Sequence, residues 1–284
     1  MTTQKKIDLA VCYRIYPRVS GDPIFGFKEK LPLLQLNLET FKESLGNLNI
    51  KMWILLDNCP PTYIDLLRKI FPDTAMEIIP LDGEGNGATF RRQVDILKAQ
   101  TDAELVYFAE DDYLYLPGSL ERLVKFMRRH PEADFATAYN HSDYYSKFIH
   151  HFHGTEITDE DCSWRMVAST CLTFIARHRS LTESSAVFKT YNKNSDLGMW
   201  TALTKKGVVN PFVWIRSSMD GIFFPASLAL AWRYAWRQIL FGKQQTLWAP
   251  KSALNTHMEK NGLTPGGDWE KVFAERSSNL NFLR

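Results

Sequence analysis

Short apolar runs alternate with stretches of helical periodicity through the first half of the chain. Residues 7–13 and 105–109 are apolar enough for strands. The IKMWILL run at 50–56 is apolar at nearly every position, as in a strand covered on both faces. Further strands are predicted over 75–79 and 135–138. Between them, 30–45 carries Leu34, Leu38, Phe41 and Leu45 on one helical face, and 61–71 is a short helix led by proline. Residues 87–99 set Phe90, Val94 and Leu97 on an inner stripe, and 119–129 is a helix stopped near Pro131. Alternating β and α units predict an α/β fold, a Rossmann-like mixed and mostly parallel sheet with helices on both faces. The second half is less regular. Residues 140–161 are rich in His, Tyr and Asp, 164–176 reads as one strand, 195–206 as a helix, 226–241 as an aromatic helix, and 251–284 as mixed. No internal repeat and no Pro/Gly/Ser-rich linker is visible. One continuous domain is expected, with 141–284 as an elaborated C-terminal part.

Composition narrows the class. Over 284 residues, 45% hydrophobic and 23% charged are globular values that exclude low-complexity disorder and allow one sizeable core. Thirty-four basic against 32 acidic residues give a net charge of +2, with no global drive toward nucleic acid, and no nucleic-acid partner is expected. Cys12, Cys59, Cys162 and Cys171 form neither a CxxC pair nor a zinc framework, which fits reduced thiols in a cytoplasmic protein. The opening MTTQKKIDLAVC holds no apolar signal-peptide core. The longest uncharged stretch, 221–232, is twelve residues broken by Pro225, short of the roughly 20 that a membrane helix needs.

In parallel sheets, ligands sit outside the carboxyl ends of the strands, so the residues just past each strand are the candidates for chemistry. After the first strand come Tyr13 and Arg14, after the second Asp57 and Asn58, after the third Asp82 and the glycine loop GEGNG at 83–87, and after the fourth Glu110, Asp111 and Asp112. Three adjacent carboxylates are tolerable on a solvated turn before the helix at Ser119, or around a bound divalent cation, since Mg²⁺ and Mn²⁺ prefer oxygen ligands. The glycine loop is not a P-loop, and no GxGxxG succeeds the first strand.

The segment GNGATFRRQVDILKAQTDAELVYFAEDDYLYLPGSLERL, with WILLDN before it, resembles the GT-A glycosyltransferases, most closely the family-2 group. Those proteins share a Gly-Asn loop opening a helix, then a strand, a DxD-like acidic turn, a proline and another helix. The resemblance covers residues 7–140 and is patchy beyond. It implies a metal-dependent transferase with an Mn²⁺ or Mg²⁺ cofactor and a nucleotide-diphosphate sugar donor. Asp112 would ligate the metal, with Glu110 assisting. Asp111 would contact the ribose or the metal, Asp57 the base or ribose, and Arg91 or Arg92 the nucleotide. Tyr13 and Arg14 join this donor-binding set. Nucleotidyltransferases of related topology carry a glycine-rich, Arg-containing loop after the first strand, which YRIYPRVSGDP does not match.

In the second half, NSDLGMWTALTKKG resembles the helix that carries the general base, which implies that role for Asp196 in an inverting transfer. The family has Glu-Asp where this chain has Ser195-Asp196, and Ser-Asp at a helix start is also a capping arrangement. Asp159-Glu160-Asp161 is the backup for the base. The resemblance also implies a C-terminal histidine that completes the metal or diphosphate site, a place His257 would take, with His150, His151 and His153 as rivals. The helix at 226–241 reads either as a core helix or as an interfacial one touching membrane or a lipid-linked acceptor, with Arg233, Arg237 and Lys243 beside it. The acceptor would be a glycan or lipid-linked saccharide in polysaccharide assembly, handled by a cytoplasmic protein with an option of peripheral contact at the inner membrane face. A retaining transferase and a non-catalytic nucleotide- or sugar-binding module are the alternatives.

Overall fold

The computed structural model describes residues 6–19, 26–159, 162–260 and 262–279. Its strands are β1 (Leu9–Ile15), β2 (Ile50–Asp57), β3 (Met76–Leu81), β4 (Leu105–Glu110), β5 (Tyr113–Tyr115), β6 (Phe135–Ala136), β7 (Glu156–Asp159), β8 (Cys162–Met166), β9 (Phe174–Arg177), β10 (Leu247–Pro250) and β11 (Asn255–His257). Nine of them form one mixed sheet in the order β3-β2-β1-β4-β9-β6-β10-β8-β7, while β5 and β11 pair antiparallel as a separate ribbon. Strands β3, β2, β1 and β4 are mutually parallel. Antiparallel β9 wedges between β4 and β6, and β10 returns parallel to β6. The fold is therefore α/β with a large, mostly parallel mixed sheet.

The period-two alternation of the strands builds a core on each face. Leu9, Val11, Tyr13 and Ile15 of β1 face one cluster, together with Leu34, Leu38 and Phe41 of α1 (Lys30–Ser44), Leu66 and Leu67 of α2 (Thr62–Ile70) and Leu123, Phe126 and Met127 of α4 (Ser119–Arg129). Ala10 and Cys12 face the other cluster, with Phe90, Val94 and Leu97 of α3 (Asn86–Ala99), Phe188 of α6 (His178–Phe188), Trp200 of α7 (Asp196–Thr204) and Leu228 of α9 (Phe223–Phe241). Burial on both faces is why these strands read as unbroken apolar runs. The edge strand β3 is instead half-exposed and carries Pro80, which an edge tolerates because it has no amide to donate. A third, smaller cluster joins Leu33 and Leu36 of α1, Leu114 of β5, Met258 and Trp269 of α10 (Trp269–Asn279).

Two expected elements differ. The apolar run 164–176 is not one strand but β8 and β9, which lie apart in the sheet, with β10 and β6 between them. The linking segment 167–173 turns inward instead of continuing the strand. The polar stretch after β6 forms a short helix, α5 (Asp143–Ser146), a 3₁₀ turn at Phe148–His150 and β7. Helices α6 and α8 (Pro211–Ser217) had no distinct sequence signal.

Candidate functional site

The chain order reverses between β1 and β4: β1 leads to β2 and β3 on one side, and β4 then pairs on the other side of β1. Ligand crevices in open α/β sheets form outside the carboxyl ends of strands at such a point. A cavity of about 480 Å³ opens there, lined by Arg14, Asp57, Asn58, the glycine loop, Asn86 and the three acids Glu110, Asp111 and Asp112.

Each of the three adjacent carboxylates has its own cation. Arg14 donates to Glu110 Oε1 and to Asn86, and Thr173 donates to Glu110 Oε2 at 3.0 Å. Lys30 Nζ lies 2.9 Å from Asp111 Oδ1, and the Tyr16 amide donates to Asp111 Oδ2 at 2.8 Å. His257 Nε2 lies 3.1 Å from Asp112 Oδ2. The turn is thus a buried, compensated cluster and not a solvated loop. Burial alone would push the Asp112 carboxyl up, but the His257 imidazole beside it brings it down to about 2. Burial opposes charge on His257 too, and Asp112 holds the imidazole up at about 9. Burial raises Asp111, with Lys30 pulling the other way.

Of the residues named from sequence, Asp57 is buried at the end of β2 and holds the glycine loop, accepting from the Glu84 amide at 2.7 Å and the Gly85 amide at 2.8 Å. The loop needs its glycines: Gly83 and Gly85 have φ of 78° and 80°. Tyr13 is not in the cavity. Strand β1 continues to Ile15, and alternation turns Tyr13 into the core against Phe41 while Arg14 faces the site. Arg91 does not line the cavity either. On α3 the buried positions include 89, 90 and 93, and residue 91 sits about 200° round the helix from residue 89. Arg92 is exposed and bound to Glu84. Position 14 supplies the guanidinium instead. Glu110 has both oxygens committed to Arg14 and Thr173, so it stands apart from the Asp112–His257 pair.

Among the described residues no group of three or more His, Cys, Asp or Glu side chains is set to hold a metal ion. Asp112 Oδ1 is nevertheless buried without a hydrogen-bond partner beside His257; the β5–β11 ribbon fixes His257 opposite Tyr113, and the Met258 amide holds the Asp112 carbonyl at 2.7 Å. Magnesium-type ions take one or two protein ligands and fill the rest with water and phosphate oxygens, so Asp112 fits such an ion, and His257 fits once the cation displaces its proton.

A second cavity, about 220 Å³, is lined by Asp196, His141, Asp143, His150, Thr170 and Cys171 among others. The segment 167–173 links the two: Ser169, Thr170 and Cys171 line this cavity, and Thr173 reaches Glu110 on the wall of the first. Ser195 caps α7, its hydroxyl accepting from the Gly198 amide at 2.9 Å. Ser195 does the capping, while Asp196 lines the cavity with its Oδ1 accepting from the Leu197 amide at 2.7 Å. Burial, then the negative Glu110, raise the Asp196 carboxyl above its ordinary value. The neighbouring histidines diverge. His150 is enclosed and held neutral by burial at about 3, while His151 and His153 are exposed, so they make no common site. Asp159 ends β7 and pairs with Arg129 at 2.8 Å, away from either cavity's lining, while Glu160 and Asp161 lie outside the described residues.

Sequence reasoning missed Lys30, Asn37 and Thr173. Lys30 and Asn37 both donate to the Asp111 carbonyl, at 3.0 and 2.7 Å. The available signal was two polar residues seven apart on the apolar stripe of α1, where only a polar partner makes such a position tolerable. Thr173 carried no such signal.

No model of a known protein family matches the chain, and comparison with the curated proteins finds no match.

Proposed function

We propose that the chain is a metal-dependent glycosyltransferase of the GT-A type, moving a sugar from a nucleotide-diphosphate donor to a hydroxyl of a glycan or lipid-linked saccharide. The observation that carries this reading is a pair of cavities with different chemistry, linked by Thr173, which reaches Glu110, and by the Glu110 charge that Asp196 feels. One combines a buried acidic turn, a guanidinium and a glycine loop at the β1/β4 reversal, and the other is walled by a carboxylate of raised basicity. Asp112 and His257 would hold Mn²⁺ or Mg²⁺, which supplies positive charge against a departing diphosphate. Asp57 orders the glycine loop whose amides and adjoining helix start, at Asn86, suit a nucleotide's polar groups. Arg14 and Lys30 keep the turn near neutral before the donor arrives. Asp196 would accept the proton from the acceptor hydroxyl as that oxygen attacks the anomeric carbon with inversion. A carboxylate whose pKa is raised is a better base, and such a group typically contributes about 10²–10⁴-fold.

One observation favours the non-catalytic alternative: Glu110, Asp111 and Asp112 are already compensated by Arg14, Lys30 and His257. A module that only binds nucleotide would need no more. The two readings separate in one experiment. Thermal unfolding is followed with a panel of nucleoside diphosphates, with and without Mn²⁺, and turnover is then assayed with the stabilising nucleotide's sugar conjugates. A ligand at 100 times its dissociation constant adds about 2.7 kcal/mol. Metal-dependent stabilisation that Asp112→Asn abolishes, with a roughly 10²–10⁴-fold loss of transfer in Asp196→Asn, is the expected result. Stabilisation without turnover would leave the binding module. No stabilisation by any nucleotide would end both readings.

A further inference from the structure

Exposed apolar side chains are concentrated in one stretch. Of the eleven large hydrophobic residues left exposed among the described residues, nine lie between 209 and 241. Ile222, Met219 and Ile215 are 81%, 75% and 72% exposed, Phe212 and Phe223 flank them, and Phe241 closes the stretch at 79%. Isolated exposed hydrophobics need no explanation, but such clustering marks an interaction surface.

The charge of the same stretch is lopsided. Residues 205–243 contain Lys205, Lys206, Arg216, Arg233, Arg237 and Lys243 against a single acid, Asp220. That is a local +5 in a chain whose total is +2, leaving −3 for all the rest. Asp220 is occupied internally, accepting from the Phe148 amide at 2.7 Å. The three exposed arginines lie over aromatic rings instead of pairing with carboxylates: Arg216 over Phe148 at 5.5 Å, Arg233 over Tyr234 and Arg237 over Trp236 both at 5.3 Å. Arg233, Trp236, Arg237 and Leu240 share the outward side of α9, opposite the buried Leu228, Ala231, Ala235 and Ile239. Beside α8, a shallow apolar hollow of about 330 Å³ lies between Val209, Pro211, Ile215 and Trp232. Trp214 and Trp232 both donate their indole N–H to the Val208 carbonyl, at 3.0 and 2.9 Å, which leaves their apolar rings to form its walls.

We infer that this face, from the approach to α8 through the outward side of α9, is a docking surface for a bilayer containing anionic phospholipid. Exposed Phe, Ile, Met and Leu among arginines without carboxylate partners is the composition that inserts shallowly at a lipid headgroup boundary, the apolar residues into the acyl edge and the arginines onto phosphates. A protein partner would be met by apolar area alone; Lys243 is paired with Asp134 at 3.4 Å, and the five remaining cations against one internally occupied acid select an anionic surface. No helix of the described residues is long and apolar enough to cross a membrane, so the contact is superficial. The inference stands on exposure and charge and does not rest on the transfer reading.

The test is flotation of the full chain with phosphatidylcholine vesicles, with and without phosphatidylglycerol, at low and high salt. Wild type should float with phosphatidylglycerol vesicles and dissociate as salt rises. The triple variant Phe212→Ser, Ile215→Ser, Met219→Ser should lose at least about tenfold in partitioning, and Arg233→Gln or Arg237→Gln about fivefold each at low salt. All should keep the wild-type circular dichroism and unfolding temperature, since the side chains removed are exposed. The inference is overturned if wild type does not float at low salt, if vesicles without anionic lipid bind as well, or if the triple variant partitions like wild type. It is equally overturned if wild type is a dimer that the triple variant makes monomeric while neither binds vesicles, because a second copy then covers the face.

Discussion

Lys30 is a cation buried in a helix that otherwise meets the core, and its charged partner is Asp111. Replacing it with methionine keeps the volume and strands the carboxylate, and breaking a buried pair this way costs about 3–5 kcal/mol. Lys30→Met should therefore unfold at lower urea at neutral pH, and part of the loss should return in acid, where Asp111 can be protonated. The Asp112–His257 pair gives a second pH signature. His257 binds its proton more tightly folded than unfolded, so its contribution is complete below about pH 6.5 and is lost as pH rises through about 9. Asp112 is more acidic folded, so its contribution is complete above about pH 3.8 and is lost as pH falls through about 2. Glu110 and Glu259 also favour the charged imidazole. In the metal-free chain the pair is strongest between about pH 3.8 and 6.5. A His257→Gln variant should lack the alkaline decline, on the order of 1–3 kcal/mol in urea titrations.

At the scale of elements, the glycine loop joins β3 to α3 and its conformation is set by Asp57. Gly85 adopts φ 80° and ψ 170°, a region open essentially to glycine. A Cβ there would touch nothing within 4 Å, so Gly85→Ala isolates the backbone cost. The variant should lose about 1–3 kcal/mol of stability by denaturant titration, and whatever nucleotide affinity the thermal-shift panel finds should fall with it. The alternating elements of the first half were legible because strands buried on both faces leave a continuous apolar signal and the helices between them an amphipathic one. The boundaries moved by a few residues, and with them the assignment of Tyr13, since alternation along the longer strand decides which face a side chain meets. The break between β8 and β9 was hidden because the inward-turning 167–173 segment is itself partly apolar, with Val167, Ala168 and Leu172 buried. The aromatic helix was legible from its apolar run, and it turns Trp236 outward.

For the molecule as a whole, the acidic turn and glycine loop were legible because their residues succeed strands within one half of the chain. Arg14's partners and the reach of Thr173 were not, because they depend on which strands become neighbours. The sheet places β9 between β4 and β6, so strands from the two halves alternate. A fragment of residues 1–140 would turn β4 into an open edge and leave β6 with no neighbour. It would also uncover Phe108, which stacks on Phe174 at 4.5 Å. Such a fragment should lack a cooperative thermal transition and bind a hydrophobic dye, whereas the full chain should melt in one step.

The interleaving of β9 and β10 also bears on how the chain is born. During synthesis, β1 to β4 can pair as soon as residue 110 clears the ribosome, because each adjoins a strand already made. The far wall of the acidic turn must wait for Thr173, β6 gains its second neighbour only with residue 247, and Asp112 meets its imidazole only at residue 257. Pairings this distant in sequence form slowly, because long loops must close before any contact rewards them. From the emergence of residue 112 until that of residue 257, the nascent chain carries three adjacent carboxylates lacking their last cation, which makes the order of emergence, from the amino end forward, part of how the site is assembled.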